Sequence, residues 1–430
     1  MVRNPDPGLT GTPADPPETP PRLGATERAV ALVRHGISWL QHPLPAPPAA
    51  VRRGPLRSGA FVSRLRSPRL TSQLGVALAV AFTTCFATGL ISHLIQHPPG
   101  WFWWPARPVG LYRFTQGLHV ATGLASIPLL GVKLWSVYPR LFGWPPARNL
   151  VHAIERAGVA ILVAAALFQL FSGTLNIARW YGPMPFFFTA GHYWSAWLAI
   201  GALLVHIGVK LPIIRAALTH IPRERAEPGG LTRRGLLAAV GGAAGVITLA
   251  TVGQTAALLT PISVLAPRRP RVGPQQLPVN KTAAGAGVRD RATDPAYRMI
   301  LAGPGQRVSL SLADLNVLEQ HTVILPISCV EGWSSTASWT GVRLRDLVAL
   351  VGVDPGDAEA YVESLEAHGR YRATTVPAPH TRDPLTLIAL RLNGEPLHLD
   401  HGYPARLIAP NRPGVLQTKW VARITARRTV

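Results

Sequence analysis

Five stretches of the chain are apolar almost without interruption, at Leu74 to Ser92, Phe114 to Val132, Ala157 to Ile177, Phe187 to Val209 and Gly235 to Leu259. Each approaches or exceeds the roughly 20 helical residues that cross a bilayer. Beyond them the pattern changes. Short apolar runs, such as Thr322 to Pro326 and Leu385 to Leu392, alternate with turn residues such as Asn393-Gly394, which signals strands and hairpins. Leu344, Leu347, Val348 and Val351 recur at helical spacing and predict a helix over Leu344 to Val351. The fold class expected is multi-domain: a five-helix transmembrane α bundle followed by an α+β domain. The expected units are a tail over 1–68, the bundle over 69–265, a Pro/Arg-rich linker over 266–279 and a domain of one hydrophobic core over 280–430.

Charge adds orientation. The 430 residues carry 43 Lys+Arg against 21 Asp+Glu, a net charge of +22, with 47% hydrophobic residues. Basicity combined with so much apolar content points to a membrane partner and away from nucleic acid. Lys and Arg concentrate before the first span (Arg64, Arg66, Arg69), between the second and third (Lys133, Arg140, Arg148, Arg156) and between the fourth and fifth (Lys210, Arg215, Arg223, Arg225). By the positive-inside rule the N-terminus is cytoplasmic and the last domain lies outside the inner membrane. Trp101, Trp103, Trp104, Trp180 and Tyr181 then mark the outer interface. The Pro-, Gly-, Ala- and Arg-rich tail reads as a mostly disordered cytoplasmic segment, with one short interfacial helix near Glu27 to Leu40 and no cleavable signal. Thr232-Arg233-Arg234-Gly235-Leu236-Leu237 resembles an internal twin-arginine export signal; the alternative is two arginines that anchor a helix end.

The chain has only two cysteines. Cys85 falls inside an apolar run and reads as a packing residue, so Cys329 has no partner outside the membrane. Three readings fit a lone thiol there: a buried core residue, an intermolecular disulfide, or a thiolate ligand to a soft metal.

Two blocks of sequence bear on that choice. The first is Cys329-Val330-Glu331-Gly332-Trp333 with Trp339, Gly341, Val342 and Leu344; the second is Asp400-His401-Gly402-Tyr403-Pro404-Ala405-Arg406 with Pro410, Gly414 and Lys419-Trp420. In this order they resemble the molybdenum-ligating and pterin-binding segments of the sulfite oxidase superfamily. The resemblance runs from about Asn280 to the C-terminus. It implies a sulfite-oxidase-type fold, a Mo-molybdopterin cofactor with Cys329 as the thiolate ligand, and pterin contacts from His401, Arg406, Lys419 and Asn280. Soft sulfur suits molybdenum, and planar or pointed cations suit a phosphate. Lys281 stands where the family carries a histidine. The Val330-Glu331-Gly332-Trp333 continuation departs from sulfite oxidases proper and resembles the periplasmic reductase branch that includes methionine sulfoxide reductases. Two roles stand for Glu331: a catalytic proton donor at the metal's open face, or a carboxylate that positions the loop.

A molybdenum centre exchanges two electrons per oxygen atom and needs a donor or acceptor. A b-type cytochrome linked to quinone or quinol is the expected supplier, and histidines inside spans are its natural ligands. His192 and His206 lie 206 − 192 = 14 residues apart on one predicted helix, nearly one face and roughly 21 Å of depth. That interval and the topology resemble diheme membrane cytochromes b. His119 enters from the outer side at the depth of His192, so His119 and His192 are the expected axial pair of an outer haem b, with His93 and His97 as substitutes for His119. His206 would serve a second haem, for which His152 is the available partner. The expected function is a membrane-bound oxidoreductase reducing a small or protein-bound oxidised substrate, for example a sulfoxide, outside the membrane. The alternatives are a sulfite-type oxidase that donates electrons to the membrane, and a non-catalytic anchored binding protein.

Overall fold

The computed structural model describes residues 24, 26–27, 30–32, 63, 65–141, 149–219, 231–266 and 268–429. Most of the predicted tail and of its interfacial helix, with Arg64, Arg148, Arg223 and Arg225, lie outside these residues; within that helix Glu27 and residues 30–32 are described and helical. Residues 61–141 and 158–430 form one compact unit. A second takes 1–60 and 142–157, and in its described part the first turns of a helix begin at Asn149, whose Oδ1 accepts from His152 N at 2.8 Å.

Among the described residues five helices are long and apolar enough to cross a membrane. They are α1 (Pro68–Gln96), α2 (Leu111–Leu141), α3 (Leu150–Ala178), α4 (Phe188–Thr219) and α5 (Arg233–Val252). Ser67 caps α1, its hydroxyl accepting from Leu70 N, with Pro68 at the first position, where a missing N–H is harmless. Thr232 caps α5 in the same way through Gly235 N at 3.0 Å, so the Thr-Arg-Arg sequence opens a helix.

The fifth helix stops at Val252, short of the predicted Leu259. Two 3-10 turns follow, Gly253–Thr255 and Ala257–Ile262, the latter holding Pro261. The chain folds back over the helix end: Ser263 Oγ donates to Leu249 O at 2.9 Å and Leu265 N to Ala250 O at 2.7 Å. Those carbonyls are the orphans a helix C-terminus must satisfy.

The remaining residues build two five-stranded sheets. One runs in the order β2 (Arg307–Ser311), β1 (Arg298–Ala302), β10 (Val421–Arg428), β5 (Ala358–Ser364), β6 (Ala373–Val376), with β1 and β10 parallel and the other pairs antiparallel. The other runs β3 (His321–Ser328), β4 (Ser334–Arg343), β7 (Leu387–Leu392), β8 (Glu395–Pro396), with β9 (Arg406–Ile408) also on β7. The helix expected at Leu344 spans Leu344–Ala349. Asn393 and Gly394, both at positive φ, turn the β7–β8 hairpin as their residue types predict. At Gly341, β4 crosses β7 so closely that a Cβ would lie 2.1 Å from Ile388 O.

The stretch read as a linker is docked. Gln275 Nε2 donates to Pro396 O at 2.9 Å and its Oε1 accepts from His398 N at 2.8 Å. Leu277 packs into the core of the second sheet. This segment straps the β7–β8 hairpin from outside.

Candidate active site

Cys329 sits in the five-residue loop between β3 and β4. Its N donates to Trp333 O at 2.9 Å and its carbonyl accepts from Gly332 N at 3.1 Å, a tight turn that needs the positive φ of Gly332. The thiol faces a small cavity whose walls include Asn280, Trp333, Arg406 and Gly414. Burial pushes the thiol pKa up, the neighbouring Glu331 adds to that, and Lys419 and Arg179 oppose it. A buried neutral thiol of this kind becomes a thiolate when a metal takes the place of its proton.

Basic side chains gather behind the cavity. Arg406, only 3% exposed, donates through Nη1 to His401 O at 3.1 Å and lies 5.3 Å from the Trp339 ring centre, while its Nε is buried without a partner. Burial lowers its pKa to about 9. Lys419 Nζ donates to Lys281 O and Asp400 O at 2.9 and 2.7 Å, and burial, then the charge of Arg406, hold it well below the usual ammonium range. Burial and Arg406 also bring His401 to about 3. The His401 ring makes one bond, Nε2 donating to Pro274 O at 2.7 Å, and its Nδ1 is left over as an acceptor. Gly402, at φ 112, makes the turn possible: a Cβ there would press on Lys419 and Arg406. Lys281 is spent on an ion pair with Glu366.

On its other side the Cys329 loop rests on the helices. Val330 O accepts from Asn176 Nδ2 at 3.2 Å and from Gln116 Nε2 at 3.5 Å, and Glu331 pairs with Arg179 at 3.3 Å while accepting from Trp333 Nε1 at 3.1 Å. Val330 is part of the wall of a large apolar cavity among α1 to α4 that contains His119 and His192. Their ring centres are 6.2 Å apart. His119 Nδ1 lies 2.8 Å from Cys85 O and must donate to it. His192 Nδ1 lies 3.0 Å from Ser172 Oγ, whose own proton goes to Phe168 O. Both rings are therefore held in the tautomer that leaves Nε2 as a free lone pair. Gly89 makes room for His119, since a Cβ there would lie 2.8 Å from His119 Cε1, whereas at Gly173 a Cβ would meet His192 Cε1 at an ordinary contact distance of 3.5 Å. His93 also lines the cavity, stacked on Tyr193 at 3.7 Å. His206, further along α4, is outside the cavity wall.

Residues 287–430 match the oxidoreductase molybdopterin-binding domain family. This region is the chain's molybdopterin domain. It is 33% identical over 160 residues to mitochondrial sulfite oxidase of Mus musculus, covering 31% of this chain and 29% of that protein. It is 31% identical over 162 residues to the Homo sapiens enzyme, covering 31% and 30%. A stretch of 95 residues is 42% identical to the NADPH nitrate reductase of Phytophthora infestans, covering 21% and 10%. The chain thus spans less than a third of the length of these relatives. The crystal structure of the sulfane dehydrogenase SoxCD from Paracoccus pantotrophus is 25% identical, with a TM-score of 0.29 over 32% of this chain and 40% of that one.

The molybdopterin domain is of an oxidoreductase enzyme type, and its donor set suits the cofactor. Among the described residues no three His, Cys, Asp or Glu side chains are placed to hold a metal ion, so molybdenum at Cys329 would take its other ligands from outside the chain. Arg406 Nε is a buried donor and His401 Nδ1 a buried acceptor, both without partners, as expected where a polar ligand brings an acceptor to the guanidinium and an N–H or O–H donor to the imidazole. Cys329, Asn280 and Arg406 share one cavity; Lys419 and His401 stand behind Arg406. Glu331 turns away from the cavity toward Arg179. Sequence reasoning missed Arg179, Asn176 and Gln116, which fix the loop from the helical side, and Arg412, which is buried with a bond to Thr375 O at 2.8 Å and a pKa lowered by burial to about 10. The only signal for Arg412 was its place between Asn411 and Pro413 within the second motif.

Proposed function

We propose that the chain is a membrane-anchored molybdenum oxidoreductase in which electrons from quinol reach a Mo-molybdopterin centre by way of haem b, reducing an oxidised substrate such as a sulfoxide outside the inner membrane. One observation carries this reading: Cys329 and Val330, joined by a single peptide bond, wall two different cavities. The first would suit a metal held by the Cys329 thiolate, the second a metal held by the imidazoles of His119 and His192. Ring centres 6.2 Å apart are what two histidines need to share one metal ion through bonds of roughly 2 Å. When bound, molybdenum supplies oxygen-atom transfer with two electrons and haem iron supplies single-electron exchange.

The protein's own part is placement. Cys329 supplies the thiolate, Arg406, Lys419, Asn280 and His401 hold the pterin and its phosphate, and Cys85 and Ser172 fix the imidazole tautomers. Glu331 is held by Arg179 and Trp333, which favours its loop-positioning role. Asn176 and Gln116 grip the Val330 carbonyl and keep the two cavities adjacent. His206 with His152 remains the proposal for a second haem. Export of the folded domain through Arg233 and Arg234 is tested by changing both to Lys and locating the domain with external protease.

Metal and haem analysis of the detergent-purified protein is the primary test. Molybdenum is expected near one per chain and should vanish in Cys329→Ser; retention there refutes the assignment. His192→Ala should lose the reduced-haem absorbance. The sulfite oxidase relatives favour a second reading, in which a sulfite-like reductant is oxidised and quinone reduced, and steady-state assays with each donor and acceptor separate the two directions.

A further inference from the structure

The cavity that holds His119 and His192 is not uniform along its length. Its inner end is apolar, with Phe82, Leu124 and Ile200; its outer end carries Gln96, His93 and His97. Over that outer end lies a loop of the molybdopterin domain, between β5 and β6. Gly369, at φ 121, turns this loop and presents Arg370 and Tyr371 to the last turn of α1. Arg370 Nη2 donates to His97 Nε2 at 2.6 Å, its guanidinium lies 5.2 Å from the Phe187 ring centre, and Tyr371 hydroxyl donates to Gln96 Oε1 at 3.3 Å.

Among the described residues Arg370 has no carboxylate partner, and one of its five N–H donors has a protein acceptor. A flat amphiphile bound between His119 and His192 would set its apolar edge inward and its acid groups toward Gln96, His97 and Arg370. An arginine fork is the side chain best suited to hold a carboxylate there.

We infer that Arg370, with His97 and Gln96, forms a carboxylate-binding subsite for the haem propionates, so that the molybdopterin domain supplies one wall of the haem site. The inference rests on the haem reading above. Its consequence is electrostatic: a fixed positive charge near the macrocycle favours the reduced form and raises its potential.

The test is a spectroelectrochemical titration of the full chain in detergent. Arg370→Gln should shift the reduction equilibrium about tenfold toward the oxidised haem, which is a fall of about 59 mV for one electron, and Arg370→Lys should recover most of it. Reconstitution with haem dimethyl ester provides a second readout: loss of the two carboxylate charges should raise the wild-type midpoint, and Arg370→Gln, which should weaken retention of native haem, should not weaken retention of the ester. A haem-loaded Arg370→Gln protein with the wild-type midpoint overturns the subsite alone. A shift in quinol KM with an unmoved midpoint would assign this mouth to quinol and overturn it too. A wild-type protein that binds no haem overturns both this inference and the reading beneath it.

Discussion

Replacing Arg406 by Met should make the cofactor-free protein more stable while destroying its hold on molybdopterin. Burial draws the guanidinium from 12.5 to about 9, and at about 1.36 kcal/mol per pH unit the buried charge is disfavoured by roughly 5 kcal/mol. Two contacts offset this: the Trp339 face, worth about 1 to 2 kcal/mol, and the bond to His401 O, about 1.5 to 3 kcal/mol. A deficit of up to about 2.5 kcal/mol remains. Methionine of similar length removes the charge and keeps the packing, as when buried ion groups are exchanged for apolar ones. The melting temperature of the cofactor-free domain should rise, by up to roughly 10 °C. The assay is thermal unfolding of the full chain produced without molybdopterin synthesis, beside molybdenum analysis of cofactor-replete preparations. The sign of the pH dependence is fixed as well. A folded pKa depressed below the unfolded one leaves the protein destabilised throughout the range below about 9, and the destabilisation is relieved above it. The gap between variant and wild type should therefore stay constant to pH 9 and narrow by about 1.4 kcal/mol per unit beyond. A cofactor-free variant less stable than wild type would refute the reasoning.

Two further outcomes follow from the molybdopterin domain. His380 is 1% exposed, and burial, then Arg412, lower its pKa to about 3; because the folded state binds the proton more weakly, wild-type stability should fall as pH drops from 6.5 toward 3, by about 1.4 kcal/mol per unit at most. Denaturant titrations of His380→Leu should show a shallower slope over that window, and an identical slope would exclude His380 as its source. Gly341→Ala should cost at least about 3 kcal/mol, because its Cβ would meet Ile388 O at 2.1 Å. Urea unfolding measures it, and a loss below 1 kcal/mol would mean the β4–β7 crossing can spread.

Much of this organisation is legible in the chain because it is local. Apolar runs give helices, Asn393-Gly394 gives a hairpin, and the spacing around Cys329 and His401 carries the resemblance to the molybdopterin-binding domain family. The depth argument that joined His119 to His192 is also a local one, helix by helix. What escapes is the set of contacts made across long separations. Trp104 Nε1 donates to Asn411 O at 2.9 Å over 307 positions, and Asn411 Oδ1 accepts from Tyr112 N at 2.6 Å over 299. Arg107 grips Asp383 with two bonds, 2.9 and 3.1 Å long. Nothing periodic marks these residues, nor Arg179, Asn176 or Arg370. The early end of α5 was hidden for another reason: apolar residues continue past it, and only Gly253, Pro261 and the fold-back at Ser263 stop the helix.

The strap at Gln275 and Leu277 has a consequence for rates. From the end of α5 at Val252 to Gln275 the chain has 275 − 252 = 23 steps, for which a flexible chain would have a root-mean-square span of roughly 26 Å. Such a tether holds the molybdopterin domain at an effective concentration on the order of millimolar beside the helices. Domain docking is then unimolecular, so dilution should leave it unchanged, and a partner in solution would have to compete against that local concentration to displace it.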